Sequence, residues 1–465
     1  MTIQIRDTAN GNRIPAQLPG GFRDYAPEEM ILKNRILDTA RRTFENFGYE
    51  PMDTAAVQRT NVLVGDDKEF DKITFRVTPA QRGEITDLKR DETSLRFDLT
   101  VPLARFMAAH PDIPKPFRRY QIGKVWRGES PQRGRYREFT QADIDIAGSS
   151  SIEADAEVIA AMNDVLERSG VKNFVFKINN YKIASALPEY AGIPNETAPA
   201  LLREADKISK IGVDAFRNNL KTQFGFAPDT VETVNRFFSV RGRADAALRK
   251  LHDMESSMSK PSPLFGAGVN ELRELASILS AMGVPASRVE IDTAIVRGLS
   301  YYTGSIFETM LTDQPAIGSI CSGGRYDTLM EKFTASPLPM VGMSLGVDRL
   351  LAALEEGDAS ALKTNAQRPQ VLIFNLAPEF RSDYYTFASE LRSADISAAL
   401  YIGDDRAFQA QLAYAVKKDI PFVLIYGEDE KKKGVVAVKD LRAREQLEMR
   451  KSTVIPYLTN RVVGV

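Results

Sequence analysis

Apolar residues recur every fourth position at Leu32, Ile36, Ala40 and Phe44, behind Pro27 and ahead of Gly48, which predicts a helix over 27–47. The pattern then shortens to period two. KITFRVT at 72–78, SLRFDLTV at 94–101, FRRYQIGKVWRG at 117–128 and EFTQADIDIAG at 138–148 read as strands. Strands in succession without a helix between each pair predict an antiparallel sheet. A helix over 153–168 and a strand over 174–180 follow. From about 188 to 282 apolar residues return at helical spacing with few β-branched clusters, so this stretch reads as a helical insertion. Strands resume at 289–295, 305–310, 316–321 and 340–345, with a helix over 347–354. After the polar stretch EEGDASALKTNAQRP at 355–369, the short apolar runs VLIFNL (371–376) and FVLIY (422–426) alternate with helices at 379–393 and 405–418. Such runs suit parallel strands buried on both faces.

The expected organisation is therefore an α+β catalytic domain in two parts, 1–187 and 283–354, interrupted by the insertion at 188–282. A linker at 355–369 leads to a separate α/β domain at 370–465, of ordinary domain size. Composition changes this picture little. Apolar residues make up 43% and charged residues 26%, both normal for a folded chain. No apolar run approaches the ~18 residues of a membrane span, and the N-terminus has no apolar segment of the secretory type. Cys321 is the single cysteine, which excludes an internal disulfide and fits a reducing cytoplasm. With only His110 and His252 besides, a zinc site is not expected.

The net charge of −1 provides no global field for nucleic acid, so any such contact rests on local patches. One runs from 115 to 137, where Lys115, Arg118, Arg119, Lys124, Arg127, Arg133, Arg135 and Arg137 face the single acid Glu129. Period two puts Arg119, Gln121, Val125 and Arg127 on one face of their strand, and Gln141, Asp143 and Asp145 on one face of the next. That hairpin either presents Arg127, Gln141 and Asp145 together to a small polar ligand or simply marks a solvent face. Arginine forks match phosphate oxygens. Arg349 falls in the first turn of the helix after the last strand, a place that suits an arginine only beside an anion or a neighbouring acid such as Asp348.

Four segments carry a resemblance. FRRYQIGKVWRGESPQRGRYREFTQADIDIAG (117–148) and VGMSLGVDRL (341–350) look like the second and third motifs of class II aminoacyl-tRNA synthetases. RGLSYYTG (297–304) and SGGRYD (322–327) resemble two stretches peculiar to the histidyl-tRNA synthetase family. LPGGFRDYAPEE (18–29) and SLRFDLTVPLAR (94–105) fit too, and the resemblance extends over nearly the whole chain. It implies a class II antiparallel catalytic domain with a C-terminal anticodon-binding domain. It implies activation of L-histidine by ATP, with Mg2+ arriving on the phosphates and no zinc, followed by transfer to the 3′ end of tRNA(His). A homodimer in the cytoplasm is the family expectation, with no membrane association.

Residue by residue, the resemblance gives Arg127 the α-phosphate and Glu129 the adenine. Arg135 and Arg349 take the outer phosphates of a bent ATP, and Arg297 lies against the α-phosphate as a second catalytic arginine that also counts among the histidine-binding residues. Asp98 and Thr100 bind the amino group of histidine, Gln141 its carboxylate side. Asp145, Tyr302 and Tyr326 surround the imidazole, with Tyr301 beside them. The chain departs from the family at Ala55, where proline is usual, at Ser300, where aspartate is usual, and at Asn180-Tyr181, where asparagine-arginine is common. Asp98 stands where many bacterial members carry glutamate. The rival reading is a non-catalytic, synthetase-like regulatory subunit of histidine biosynthesis. Such relatives tend to lack the anticodon-binding domain and the ATP arginines, which this chain keeps at Arg127, Arg297 and Arg349.

Overall fold

A computed structural model describes residues 15–65, 68–78, 92–258, 260–296, 302–356 and 369–462. The chain divides into two compact units, residues 1–359 and 360–465. The first is built on a nine-stranded sheet in the order Glu50–Pro51, Phe117–Trp126, Glu138–Ala147, Met340–Gly346, Ser319–Arg325, Ser305–Leu311, Phe174–Asn180, Val289–Asp292, Arg241–Arg243. The six strands from Phe117–Trp126 to Phe174–Asn180 are antiparallel throughout, and parallel pairing occurs only where Glu50–Pro51 and Val289–Asp292 join them.

One face of this sheet packs on helices Pro27–Asn46, Ile152–Arg168, Pro263–Ala281 and Val347–Glu356, and Ile144, Ile146, Met343 and Leu345 point into that core. The first of these helices follows the predicted four-residue repeat, burying Ile36, Ala40 and Phe44. On the other face a smaller core gathers Phe97, Val101, Leu103, Tyr302, Tyr326 and Met340 around helix Thr100–Ala109. Between Leu187 and Ala281 the described residues are mainly helical, and a three-residue strand, Arg241–Arg243, edges the large sheet.

Three strand expectations fail in part; over 316–321 the turn Pro315–Ile317 delays the strand to Ser319–Arg325. Residues 98–101 are not extended: strand Thr93–Leu95 stops early, and helix Thr100–Ala109 begins. Asp98 Oδ1 accepts from the Val101 amide at 3.1 Å, satisfying a donor that the first helical turn leaves free. Over 72–78, Lys72 and Ile73 end helix Lys68–Ile73, and only Arg76–Val77 is strand. Helix Val347–Glu356 also runs two residues into the stretch read as linker.

The second unit holds a five-stranded sheet in the order Ala398–Leu400, Val371–Ile373, Phe422–Ile425, Val436–Asp440, Glu445–Met449. Its first three strands are parallel, with helices Arg381–Ser393 and Phe408–Lys417 between them in sequence, and its last two are antiparallel. The lysines at 431–433 close the short helix Glu428–Lys433.

Candidate active site

Sheet register assembles the polar face. Strand Phe117–Trp126 pairs with Glu138–Ala147 so that Arg119 lies opposite Asp145, Gln121 opposite Asp143 and Gly123 opposite Gln141. On the other side Gly342 is opposite Asp145, Ser344 opposite Asp143 and Gly346 opposite Gln141. Side chains alternate, so Gln141, Asp143 and Asp145 share one face while Ile144 and Ile146 enter the core behind. This is not a solvent face: Arg119, Gln121, Asp143 and Asp145 are each exposed by 2% or less and Gln141 by 7%. Buried polar groups are retained where something hydrogen-bonds them.

Several of these groups are incompletely paired by the protein. Arg119 Nη2 lies 2.5 Å from Asp145 Oδ2, a close ion pair without hydrogen-bond alignment, and donates to the Leu99 carbonyl at 3.2 Å. Arg119 Nε and Nη1, Asp143 Oδ1 and Gln141 Oε1 have no hydrogen-bond partner among the described residues. Tyr326 donates its hydroxyl to Asp145 Oδ1. Gln141 Nε2 donates to Ser344 Oγ at 2.8 Å, and the Ser344 hydroxyl also bonds the Asp143 carboxylate.

Burial sets the charge states. It pushes Asp143 up to about 7, opposed by Arg119 and assisted by the negative charge of Asp145. It pushes Asp98 up to about 6 against the pull of Arg127 and the Val101 amide. Asp145 is raised by the same desolvation, with Arg119 and Tyr326 working against it.

Small residues make the room. A Cβ on Gly342 would stand 1.9 Å from Asp145 Oδ1, and one on Gly324 would meet the Tyr302 ring at 2.8 Å. Behind Tyr326, Arg325 is buried and clamped: Nε reaches Asp155 Oδ2 at 3.1 Å, and Nη1 and Nη2 donate to the Ser149 and Ser151 carbonyls at 2.8 and 2.9 Å. Asp327 accepts from the Thr303 hydroxyl at 3.0 Å and from the Met340 amide at 3.2 Å. The strand ends carrying Tyr302 and Tyr326 are thereby fastened together.

The basic loop borders this face. Arg127 Nε donates to the Phe97 carbonyl at 2.9 Å, and its guanidinium lies 5.2 Å from the centre of the Phe139 ring. Arg135 Nε donates to Glu129 Oε2 at 2.5 Å. Gly134, with φ of +66°, turns the loop against Arg349, whose Cγ would be 3.4 Å from an added Cβ. Arg349 Nη1 donates to the Ser319 carbonyl. Asp348 is buried and takes Lys33 Nζ at 2.7 Å together with the Tyr25 hydroxyl and the Thr140 amide. Arg127, Glu129, Arg135 and Arg349 thus belong to the loop and helix start beside the polar face. Asp98, Thr100, Gln141, Asp145, Tyr302 and Tyr326 belong to the face and the segments that cover it. Arg297, Ser300 and Tyr301 lie outside the described residues.

Arg119 and Asp143 were placed on this face by periodicity but given no role. The signal available was their period-two phase with Gln141 and Asp145; the register that sets Arg119 against Asp145 was not readable from either strand alone. Among the described residues no group of three or more His, Cys, Asp or Glu side chains is arranged to hold a metal ion. None of their helices is long and apolar enough to cross a membrane.

Comparison with known proteins gives a consistent answer. The histidyl-tRNA synthetase family model matches residues 21–350, and an anticodon binding domain model matches 370–461. The chain is 39% identical over 454 residues to a histidine–tRNA ligase of Xanthomonas oryzae pv. oryzae (strain PXO99A), covering 94% of this chain and 96% of that one. It is 37% identical over 460 residues to that of Paracoccus denitrificans (strain Pd 1222), covering 94% and 92%. The crystal structure of histidyl-tRNA synthetase from Nostoc sp. PCC 7120 superposes with a TM-score of 0.84 at 32% identity, over 97% of this chain and 100% of that chain.

Proposed function

The chain belongs to the histidyl-tRNA synthetase family, and from that premise we infer that it activates L-histidine with ATP and loads it onto the 3′ end of tRNA(His). The observation that carries the reading to the level of residues is the buried polar face Gln141–Asp143–Asp145, flanked by a loop of arginines.

In the first step the histidine carboxylate attacks the α-phosphorus of ATP, forming histidyl-adenylate and releasing pyrophosphate. In the second, a 3′-terminal ribose hydroxyl of the tRNA takes the histidyl group and AMP leaves. Negative charge builds on the five-coordinate phosphorus, so fixed guanidinium groups stabilise that state. Arg127 and Arg297 are assigned to the α-phosphate, Arg135 and Arg349 to the outer phosphates and Glu129 to the adenine. The ion pair between Glu129 and Arg135 opens when the nucleotide brings its own anion. ATP enters with magnesium on its phosphates.

Asp98 and Thr100 receive the amino group, and Gln141 the carboxylate side. Asp145, Tyr326 and Tyr302 enclose the imidazole, with Tyr301 alongside. Buried groups built to hydrogen-bond an imidazole reject apolar side chains, which would leave them unpaired. Binding both substrates in line supplies much of the remaining rate. The α/β unit of residues 370–465 reads the anticodon, whose unstacked bases are its targets. The remaining domain limits are proposed as 1–187 and 283–354 for the catalytic parts, 188–282 for the insertion and 355–369 for the linker. A homodimer working in the cytoplasm completes the reading.

The test is histidine-dependent exchange of pyrophosphate into ATP, abolished by Arg297→Ala. A pure, folded sample without exchange at saturating histidine would leave the regulatory-subunit reading in its place. Exchange without tRNA charging would point to another acceptor.

A further inference from the structure

The wall of the site holds one carboxylate for which the assignment above has no use. Asp143 lies between Gln141 and Asp145 on the same face, exposed by only 2%, and its Oδ1 has no hydrogen-bond partner among the described residues. Its neighbours do not supply one. Gln121, directly opposite, turns its Nε2 to Asp53 Oδ1 at 2.7 Å and Thr54 Oγ1 at 3.1 Å. Arg119, the guanidinium that most favours an ionised Asp143, is engaged through Nη2 with Asp145. Ser344 bonds the carboxylate but brings no charge. Gln141 Oε1, two residues along the strand, is a second buried acceptor without a partner, at 7% exposure. Asp98 and Asp145 both bear on Asp143 electrostatically.

Among three enclosed carboxylates, Arg119 is tied to Asp145 and Arg127 bears on Asp98, which leaves Asp143 without a cation bonded to it among the described residues. Asp143 Oδ1, Gln141 Oε1 and Asp145 Oδ2 are buried acceptors without a hydrogen-bond partner among those residues, against the two unpaired donors Nε and Nη1 of Arg119, so the face calls for an occupant that brings donors. A cation with several N–H groups meets both demands.

We propose that Asp143 is a further amino-acid-binding residue, its Oδ1 accepting from the α-ammonium of the substrate alongside Asp98. This rests on the functional reading above and adds a residue to it. Asp98 lies at the start of helix Thr100–Ala109 with one oxygen held by the Val101 amide, so the ammonium bridges that helix start to the middle of the sheet. The amino group is then gripped by charge from two elements, while Asp145 and Tyr326 read the ring at the next position along the strand.

The experiment measures binding to the full chain, wild type and Asp143→Asn, with three probes. These are L-histidine, its amino alcohol (which lacks the carboxylate) and imidazole-4-propionate (which lacks the amino group). Loss of a charge-assisted hydrogen bond predicts about 10- to 100-fold weaker binding of the two amines, while the des-amino acid binds the variant at least as well as it binds wild type. Asp143→Glu, which restores the charge, recovers part of the loss. Unchanged ATP affinity in both variants verifies that the site is folded. Equal weakening of all three probes, or of none, overturns the proposal. Failure of the wild-type chain to bind histidine overturns the functional reading itself, and is seen before any variant is made.

Discussion

Arg119 and Asp145 form an enclosed ion pair, Nη2 to Oδ2 at 2.5 Å, with side-chain exposures of 0% and 3%. The same guanidinium holds the carbonyl of Leu99, between Asp98 and Thr100. One side chain therefore fixes both the carboxylate assigned to the imidazole and the turn assigned to the amino group. Arg119→Met leaves Asp145 as an uncompensated buried charge, and removing one partner of such a pair costs about 3–5 kcal/mol. Thermal unfolding is expected to show that loss, and the double variant Arg119→Met/Asp145→Asn to regain most of it without regaining histidine activation. A double variant no more stable than the single one would show that the ion pair is not what Arg119 contributes.

Tyr326 tests the imidazole assignment more gently. Its hydroxyl donates to Asp145 Oδ1, and a hydrogen bond to a charged group contributes roughly 1.5–3 kcal/mol. Tyr326→Phe keeps the ring in its buried place and removes only the donor. Steady-state exchange kinetics should give a histidine kcat/KM lowered by about 10- to 100-fold, with the KM for ATP little changed. A comparable rise in the ATP KM would mean that the tyrosine serves the nucleotide side or the general shape of the site.

Two glycines on neighbouring strands separate a functional clash from a structural one. At Gly342 an added methyl meets chiefly the side chain of Asp145, Oδ1 at 1.9 Å, with the Ile144 carbonyl farther off at 2.8 Å. At Gly323 it meets main chain, the Gly342 carbonyl at 2.0 Å. A carboxylate can rotate away, whereas paired strands cannot part without losing their ladder. Gly342→Ala is expected to fold with the smaller loss of stability and to lose histidine binding. Gly323→Ala is expected to lose stability by several kcal/mol, beyond the ~1–3 kcal/mol typical of overpacking. Circular dichroism melts and histidine titration of both variants distinguish the cases; equal melting temperatures would refute the distinction.

The hydrophobic pattern was sufficient for most of the catalytic sheet, because those strands are long and one face of each enters a core. It misread 98–101, where alternation continued in sequence but the Asp98 side chain took over the Val101 amide and started a helix. It also missed the closing hairpin Val436–Asp440 and Glu445–Met449, whose second strand is almost wholly exposed and so carries no apolar alternation. For the site, phase placed Gln141, Asp143 and Asp145 together, but whether that face was wet or buried depended on helix Thr100–Ala109 and its loop, which come from elsewhere in the chain. The pairing of Arg119 with Asp145 needed the strand register, and the diversion of Asp348 to Lys33 needed a partner 315 residues upstream.

Asp143 also predicts a pH dependence whose sign is opposite to that of an ordinary salt-bridged aspartate. Burial lifts its carboxyl to about 7 in the folded chain, against about 4 when unfolded. Between those values the folded state binds more protons than the unfolded state, so stability falls as pH rises through this window and levels off above it. Asp98 and Asp145 face the same group and raise it further, Asp145 more strongly, while Arg119 and Ser344 lower it. Asparagine at this position has no proton to lose. Asp143→Asn is therefore expected to melt above wild type at pH 8, by an amount worth at most a few kcal/mol, with the gap closing as pH falls toward 5. Removing the charge also eases ionisation of Asp98 and Asp145, which acts in the same direction. Saturating histidine narrows the gap, because a ligand bound 10- to 100-fold more tightly by wild type stabilises it by about 1.4–2.7 kcal/mol more than the variant. Melting temperatures of both chains at pH 5 and 8, with and without histidine, decide the matter. A variant less stable than wild type at pH 8 without ligand would show that Asp143 serves the fold rather than the substrate.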